Sequence, residues 1–189
     1  MVKNIVYMMI AFMSILFTGC GITDEDAEGV KGLNVASFYI YDNRFSFPVS
    51  VGILKDSGFV LDYNSLGISE SDTIEPGMKY SESIPLLNKE GVSIGTRVNL
   101  ANLGDSAVTV DNANISCIRF SCPDVFLLDG KVGIGSSLND FKNVYGEPLS
   151  ETKVGDVDIY VFEDAFKNSI KVEIVDDTCI VVDFRLQNN

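Results

Sequence analysis

Alternation of apolar and polar residues constrains this chain more than any other feature. Ile170, Val172 and Ile174 alternate with Lys171, Glu173 and Val175, and successive side chains of a strand point to opposite faces. One face of this strand would be apolar and the other mostly polar, which is typical of an antiparallel sheet covered on one side. The sequence therefore predicts a β-rich fold.

Other short segments rich in β-branched and aromatic residues extend this prediction along the chain. The predicted strands cover residues 35–41, 44–47, 84–87, 92–100, 108–120, 157–163, 169–175 and 179–186. Residues 60–83 are predicted to be mostly loop. Pro85 lies inside one predicted strand and cannot donate a backbone hydrogen bond, so this run is expected to be at best a short edge strand.

The clearest helix is predicted over residues 137–145. Ser137 is placed to cap it, with Asp140 in the capping-box position, while Gly146 and Pro148 mark its end. Its apolar stripe consists of Leu138, Phe141 and Tyr145. The signals for its start, its buried face and its end all agree, so the sequence predicts one amphipathic helix here.

A second helix is predicted over residues 48–58, where Val51 and Leu54 are three residues apart. The predicted fold class is α+β, an antiparallel β-sheet with one or two short helices packed on one face. A tandem of two small α+β units is an alternative arrangement of the same elements. The predicted units are a β-rich segment at 34–124 and a helix-plus-sheet segment at 125–189.

The chain begins with a short apolar leader. Lys3 precedes residues 5–17, which are apolar except for Ser14, the layout of a secretory signal. This run is shorter than the roughly 20 residues that a membrane-spanning helix needs. The sequence therefore predicts a signal peptide at residues 1–19.

The segment Leu16-Phe17-Thr18-Gly19-Cys20 resembles the lipobox of bacterial lipoproteins. In that family the cysteine thiol receives a diacylglyceryl group and cleavage falls just before it. The resemblance implies that Cys20 is the lipid attachment site, and two acyl chains anchor a protein stably to a membrane. The expected location is the extracytoplasmic face of the cell membrane, with residues 20–33 as the lipidated Cys and a flexible tether. An ordinary signal peptide with an incidental Cys20 is the alternative.

Charge and composition exclude several function classes. The formal net charge is −13, which repels phosphate backbones and makes nucleic acid an unfavourable partner. The chain contains no histidine, so Ser-His and Cys-His nucleophiles are absent. We predict no enzyme activity, no cofactor and no metal site; a hydrolase that uses two of the acidic residues is a third hypothesis.

Four short motifs that could carry chemistry are interpreted as structural. Ser150 and Lys153 match a Ser-x-x-Lys pattern but lie where a strand begins. The acidic and glycine motifs have neither calcium-loop nor dinucleotide-binding spacing. They are Asp156-Val157-Asp158, Asp176-Asp177, and Gly130 with Gly133 and Gly135.

Three cysteines follow Cys20, namely Cys117, Cys122 and Cys179. An odd number leaves at least one thiol unpaired within the chain. Buried structural thiols are the favoured interpretation. A loop that lets Cys117 pair with Cys122 is the alternative.

Five aromatic residues lie within the first predicted hairpin. They are Phe38, Tyr39, Tyr41, Phe45 and Phe47. They would form either an exposed binding strip or a packed end of the sheet, and packing is the favoured interpretation.

The stretch at residues 135–148 has the form Gly-x-Ser-x-x-x-Phe-x-x-x-Tyr-Gly-x-Pro. It resembles the helix motif of β-lactamase-inhibitor-protein-like modules and of small outer-membrane assembly lipoproteins. It is also similar to lipoproteins of Gram-positive gut bacteria in which a less regular β-rich half precedes the motif. The resemblance covers residues 130–186 and implies a helix on an antiparallel sheet whose other face binds other proteins.

The leading function hypothesis is a membrane-anchored lipoprotein that acts as a protein-interaction module for an envelope protein. The alternative is a solute- or glycan-binding lipoprotein. A solute binder is expected to show a concave pocket with convergent polar groups. An interaction module is expected to show an exposed sheet face that bears aromatic residues.

Overall fold

A computed structural model describes residues 37–127, 132–164 and 166–187. The predicted signal peptide, Cys20 and the predicted tether lie outside these residues. Within the described ranges, no helix is long and apolar enough to cross a membrane.

The described chain consists mainly of short strands. They are β1 (Ser37–Ile40), β2 (Asn43–Ser46), β3 (Val49–Ser50), β4 (Phe59–Leu61), β5 (Thr73–Ile74), β6 (Ile84–Asn88), β7 (Ser93–Ala101), β8 (Val108–Thr109), β9 (Asn114–Phe120), β10 (Val125–Leu127), β11 (Val132–Gly133), β12 (Ser150–Val154), β13 (Val157–Glu163), β14 (Ser169–Val175) and β15 (Thr178–Arg185). The helices are α1 (Val51–Asp56) and α2 (Leu138–Tyr145). Short 3₁₀ turns occur at Asn64–Leu66 and Val110–Asn112.

These strands form one large and two small antiparallel sheets. The large sheet has nine strands in the order β12-β13-β14-β15-β9-β7-β6-β4, with β3 also paired to β9. A second sheet has the order β11-β10-β1-β2, and β5 pairs with β8. The predicted fold class, α+β with an antiparallel sheet and short helices, is confirmed.

Both sheets combine strands from the two predicted units. In the large sheet β9 pairs with β15, and in the small one β1 pairs with β10. The predicted boundary between residues 124 and 125 therefore does not coincide with a division between sheets.

Local sequence signals explain both helices. The Ser50 hydroxyl caps α1 by accepting a hydrogen bond from the Ile53 N–H at 3.3 Å. The capping box that the sequence predicts for α2 is present, with Ser137 and Asp140 bonded reciprocally. Gly146 follows α2 with a φ of +83°, a conformation that glycine adopts without steric cost.

The position of β6 corrects one prediction. Instead of lying at the edge, β6 pairs with β4 on one side and β7 on the other. Pro85 is tolerated because β4 pairs only with residues 86–88. Beyond them Pro85 contributes its carbonyl, which accepts from the Asp62 N–H at 2.9 Å.

The two faces of the large sheet differ in what covers them. On the core face, Phe184 packs against Phe47 with ring centroids 4.4 Å apart, and Phe162 lies 6.0 Å from Phe141 of α2. The opposite side is called the open face here, and the side chains that lie on it include Arg97, Arg119, Lys171, Glu173 and Arg185. The alternation predicted along β14 is confirmed, since Ile170, Val172 and Ile174 are buried whereas Lys171, Glu173 and Val175 are only partly buried.

The aromatic hairpin belongs to the core. Phe38, Phe45 and Phe47 are buried, while Tyr39 stacks on Phe126 with centroids 5.1 Å apart. Tyr41, at the turn, is 42% exposed. These positions agree with the interpretation of a packed end of the sheet.

Candidate binding groove on the open face of the sheet

A groove of about 510 Å³ crosses the open face where β7, β9 and β15 lie side by side. We call it the polar groove. Ten side chains line it, and most of them are charged or polar. They are Lys79, Tyr80, Ser81, Ser83, Asn99, Ser116, Cys117, Arg119, Asp183 and Arg185.

Strand register places four charged residues of the open face in a row, and two of them, Arg119 and Asp183, line the groove. Arg119 of β9 lies opposite Asp183 of β15 on one side and opposite Arg97 of β7 on the other. Asp183 in turn lies opposite Lys171 of β14. Directly opposed residues share one face of a sheet, so these four side chains cross the open face together.

A second row lies two residues further along the strands. Cys117 of β9 is opposite Arg185 on one side and Asn99 on the other. Because both rows come from strands that are distant in sequence, no short sequence motif indicates the groove. The feature of the sequence that could have indicated the groove is the polar residues at alternate positions of otherwise apolar strands.

One wall of the groove is the segment 79–83, and hydrogen bonds hold it against β7. The Tyr80 N–H donates to the Leu100 carbonyl at 2.9 Å, and Asn99 Nδ2 donates to the Glu82 carbonyl at 3.0 Å. Arg97 donates to a backbone carbonyl of the same segment. These contacts connect the wall to the sheet, so the groove exists before any ligand binds.

Asp183 is the most enclosed charge in the groove, with only 3% of its surface exposed. Its carboxylate accepts from Arg185 Nε at 3.0 Å and Nη2 at 2.9 Å, and from Cys117 Sγ at 3.1 Å. Arg119 Nη1 lies 3.6 Å away. Burial alone would raise the pKa of Asp183, but the hydrogen bonds from Arg185 and Cys117 outweigh it and hold the pKa below its ordinary value. Asp183 is therefore ionised and already fully engaged.

Cys117 acts as a hydrogen-bond donor in this arrangement. Burial raises its pKa to about 12, and the negative charge of Asp183 adds to the increase. A thiol with such a pKa is not a nucleophile near neutral pH. As a hydrogen-bond donor, Cys117 therefore helps to position Asp183.

Arg119 connects Asp183 to a second carboxylate. Arg119 Nη2 donates to Glu173 Oε1 at 3.1 Å, and Lys171 Nζ lies 3.0 Å from the same oxygen. Burial would raise the pKa of Glu173, but these two cationic partners lower it overall. The chain of alternating charges holds the Arg119 guanidinium in a defined orientation.

The groove is positively charged although the chain as a whole is acidic. Three basic side chains and one acidic one line it, a formal balance of +2, whereas the whole chain carries −13. Lys79 forms no ion pair with any described residue, and the Arg185 side chain is 62% exposed. The groove therefore offers N–H donors to an anionic ligand.

The residues that the sequence singled out lie elsewhere. Ser150 and Lys153 are three residues apart on β12 and thus on opposite faces, as expected for a strand. Asp156, Asp176 and Asp177 occupy hairpin turns, and Asp158 at the start of β13 pairs with Lys153 at 2.8 Å. Gly130 and Cys20 lie outside the described residues.

The described part of the chain contains neither a metal-binding cluster nor a disulfide. No group of three or more Cys, Asp or Glu residues there is placed to hold a metal ion. The three described cysteines are free thiols; Cys117 and Cys179 are buried and Cys122 is half-buried. Burial also raises the pKa of Cys179 to about 12, which agrees with structural thiols.

Comparisons of the chain with known protein families, with curated proteins and with solved structures find no match. The resemblance of residues 130–186 to inhibitor-like and assembly lipoprotein modules therefore remains a prediction.

Proposed function

We propose that this protein is a membrane-anchored, extracytoplasmic lipoprotein that binds a partner protein through the open face of its large sheet. Cys20 would carry the lipid anchor, and the polar groove would receive the partner. The observation that carries this proposal is the basic, prearranged groove on a protein of opposite overall charge.

The chemistry of the groove favours a carboxylate-bearing segment of the partner. Lys79 and the exposed part of Arg185 supply charged donors, and charge-assisted hydrogen bonds to carboxylates are about twice as strong as neutral ones. The groove lies on a broad sheet face, so an extended chain could place one or two acidic side chains in it. Long polyanions would be repelled by the rest of the surface.

A second candidate is an acidic solute, such as a sugar acid. A concave groove with convergent polar groups is the feature expected of a solute binder, and its volume lies within the roughly 300–1,000 Å³ that small-ligand sites occupy. Tyr80 is the one aromatic residue among the ten that line it, whereas an aromatic-bearing face is expected of an interaction module. The same donors would bind the carboxylate of such a solute. The two candidate functions therefore differ in the ligand that is bound, whereas the groove residues that bind it are the same.

Binding of defined probes tests the groove. Full-length protein in detergent micelles is titrated with a fluorescein-labelled ten-residue peptide of glycine and serine that carries two glutamates. The same peptide with two glutamines is the neutral comparison, and trigalacturonate is the competitor. Fluorescence anisotropy measures the affinity. We expect the glutamate peptide to bind more tightly, and Lys79→Glu to weaken it by about tenfold, the loss of one charge-assisted contact.

Lys89→Glu is the matched control because it makes the same charge change in an exposed turn. The Lys89 side chain is 77% exposed. An equal loss of affinity in both variants would show that only the overall charge matters and would contradict binding in the groove. If only trigalacturonate binds, and Lys79→Glu abolishes that binding, the solute candidate replaces the protein partner.

The anchor is tested separately. We expect mass spectrometry of the mature N-terminal peptide to find an acylated Cys20, and Cys20→Ala to move the protein from the membrane to the soluble fraction. An intact leader or an unmodified thiol at Cys20 would contradict the lipoprotein proposal without affecting the groove.

A further inference from the structure

Strand β12 leaves one edge of the large sheet uncovered. Among the described residues only β13 pairs with it, and all five of its residues are exposed. Leu149, which precedes the strand, and Val154, its last residue, are large apolar residues that are 66% and 61% exposed. An edge strand of this kind presents unpaired N–H and C=O groups to another chain.

The sequence of β12 is complementary to itself. In an antiparallel pair of two copies centred on Thr152, Glu151 of each copy lies opposite Lys153 of the other, and Ser150 lies opposite Val154. Opposite charges at directly opposed positions stabilise such a pair, whereas like charges destabilise it. This alignment therefore forms two Glu–Lys pairs.

Neighbouring alignments are unfavourable. The two copies are related by a two-fold axis perpendicular to the sheet, so each residue lies on the same face in both copies. Directly opposed residues must therefore be an even number of positions apart, and every allowed alignment is centred on one residue. Centring on Glu151 opposes two glutamates, and centring on Lys153 opposes two lysines. Charge thus selects the alignment centred on Thr152.

We propose that β12 pairs with β12 of a second copy of this chain in this alignment, which joins the two large sheets into one. Because the axis is perpendicular to the sheet, both polar grooves would face the same side. The contact is short, so the dimer is weak, in the range of transient interfaces.

Disulfide formation at the symmetry axis tests the alignment in the full-length protein in cells. Thr152→Cys places two thiols at opposed positions about 4.5–5.5 Å apart between Cα atoms, within the range that a disulfide bridges. Oxidation with copper phenanthroline is expected to give a dimer on non-reducing gels. Ser150→Cys is the matched control, since its two copies would lie about 13 Å apart.

Charge reversal tests the pairing without introducing a thiol. Glu151→Lys and Lys153→Glu each oppose like charges in the homodimer. Each is expected to weaken dimerisation about tenfold in sedimentation of the full-length protein in micelles. A mixture of the two variants opposes unlike charges again and is expected to dimerise as well as the parent protein.

Glu90→Lys and Lys89→Glu repeat these charge changes in the exposed turn between β6 and β7, and are expected to leave dimerisation unchanged. Thermal melting shows whether each variant is folded. The proposal is overturned if Ser150→Cys cross-links as readily as Thr152→Cys, or if a folded Thr152→Cys protein gives no dimer. It is also overturned if a mixture of the Glu151→Lys and Lys153→Glu proteins does not recover dimerisation.

Discussion

On the core face, β9 and β15 present Ile118, Phe120 and Phe184, whereas on the open face the same two strands present Arg119 and Asp183. The first group is removed from water and packs against other apolar residues. The second group is held by ion pairs and hydrogen bonds around a groove. Because partly exposed ion pairs contribute little to stability, the open face can change with less effect on folding than the core face, and its charges remain available for a ligand.

The largest effect is expected on the core face. Phe184→Ala removes a fully buried ring that packs 4.4 Å from Phe47, and such changes cost about 3–5 kcal/mol of the free energy of unfolding. Urea unfolding followed by circular dichroism measures the loss. Ile180→Ala on the same strand is the control, because Ile180 is 39% exposed. Equal losses would contradict the contrast between the faces.

An intermediate effect is expected for Asp183, the one buried charge of the groove. Asp183→Asn keeps the shape but removes the charge that Arg185 and Cys117 contact, at a cost of about 1–3 kcal/mol in the free energy of unfolding. Asp158→Asn makes the same change at a surface ion pair with Lys153 and is expected to cost less than about 1 kcal/mol. If the two variants unfold alike, Asp183 does not organise the open face.

Acid is expected to have a smaller and gradual effect. The pKa of Asp183 is lower in the folded protein than its ordinary value of 3.8. Its stabilising contribution is therefore complete above pH 3.8 and is lost as the pH falls through the folded-state pKa. The difference in unfolding free energy between the parent protein and Asp183→Asn should be constant near neutral pH and narrow below that value. A difference that widens in acid would contradict the direction of the shift.

The smallest effect on stability is expected for Lys79, which makes no ion pair with a described residue. Lys79→Ala should change the free energy of unfolding by less than about 0.5 kcal/mol, although it weakens binding of the glutamate peptide. Lys89→Ala should affect neither quantity. A large loss of stability in Lys79→Ala would assign the residue to the fold and not to the groove.

Features that depend on neighbours in sequence were predicted well. Ser137, Asp140 and Gly146 define α2 through contacts within a few residues. The last two hairpins follow equally from alternation and turn residues, and β13 and β14 have the predicted bounds. Short-range hydrogen bonds and periodic burial set these elements, so the sequence alone reveals them.

The groove was not predicted because its partners are distant in the chain. Cys117 and Asp183 are 66 residues apart and meet only because β9 pairs with β15. Pro85 shows the same limitation: its effect on β6 depends on how far β4 extends.

The amino-acid sequence by itself determined strands with clear alternation such as β13 and β14, the capped helix, the apolar face of the sheet and the acidic overall charge, because each depends on residue type and short-range spacing. It did not reveal β4, which overlaps the segment 60–83 that is predicted to be mostly loop, or β5, which lies within that segment. Tertiary structure alone decided which strands are adjacent and therefore which charges meet. Strand order depends on packing the whole core at once, and that collective choice places Lys79, Arg119, Asp183 and Arg185 around one groove.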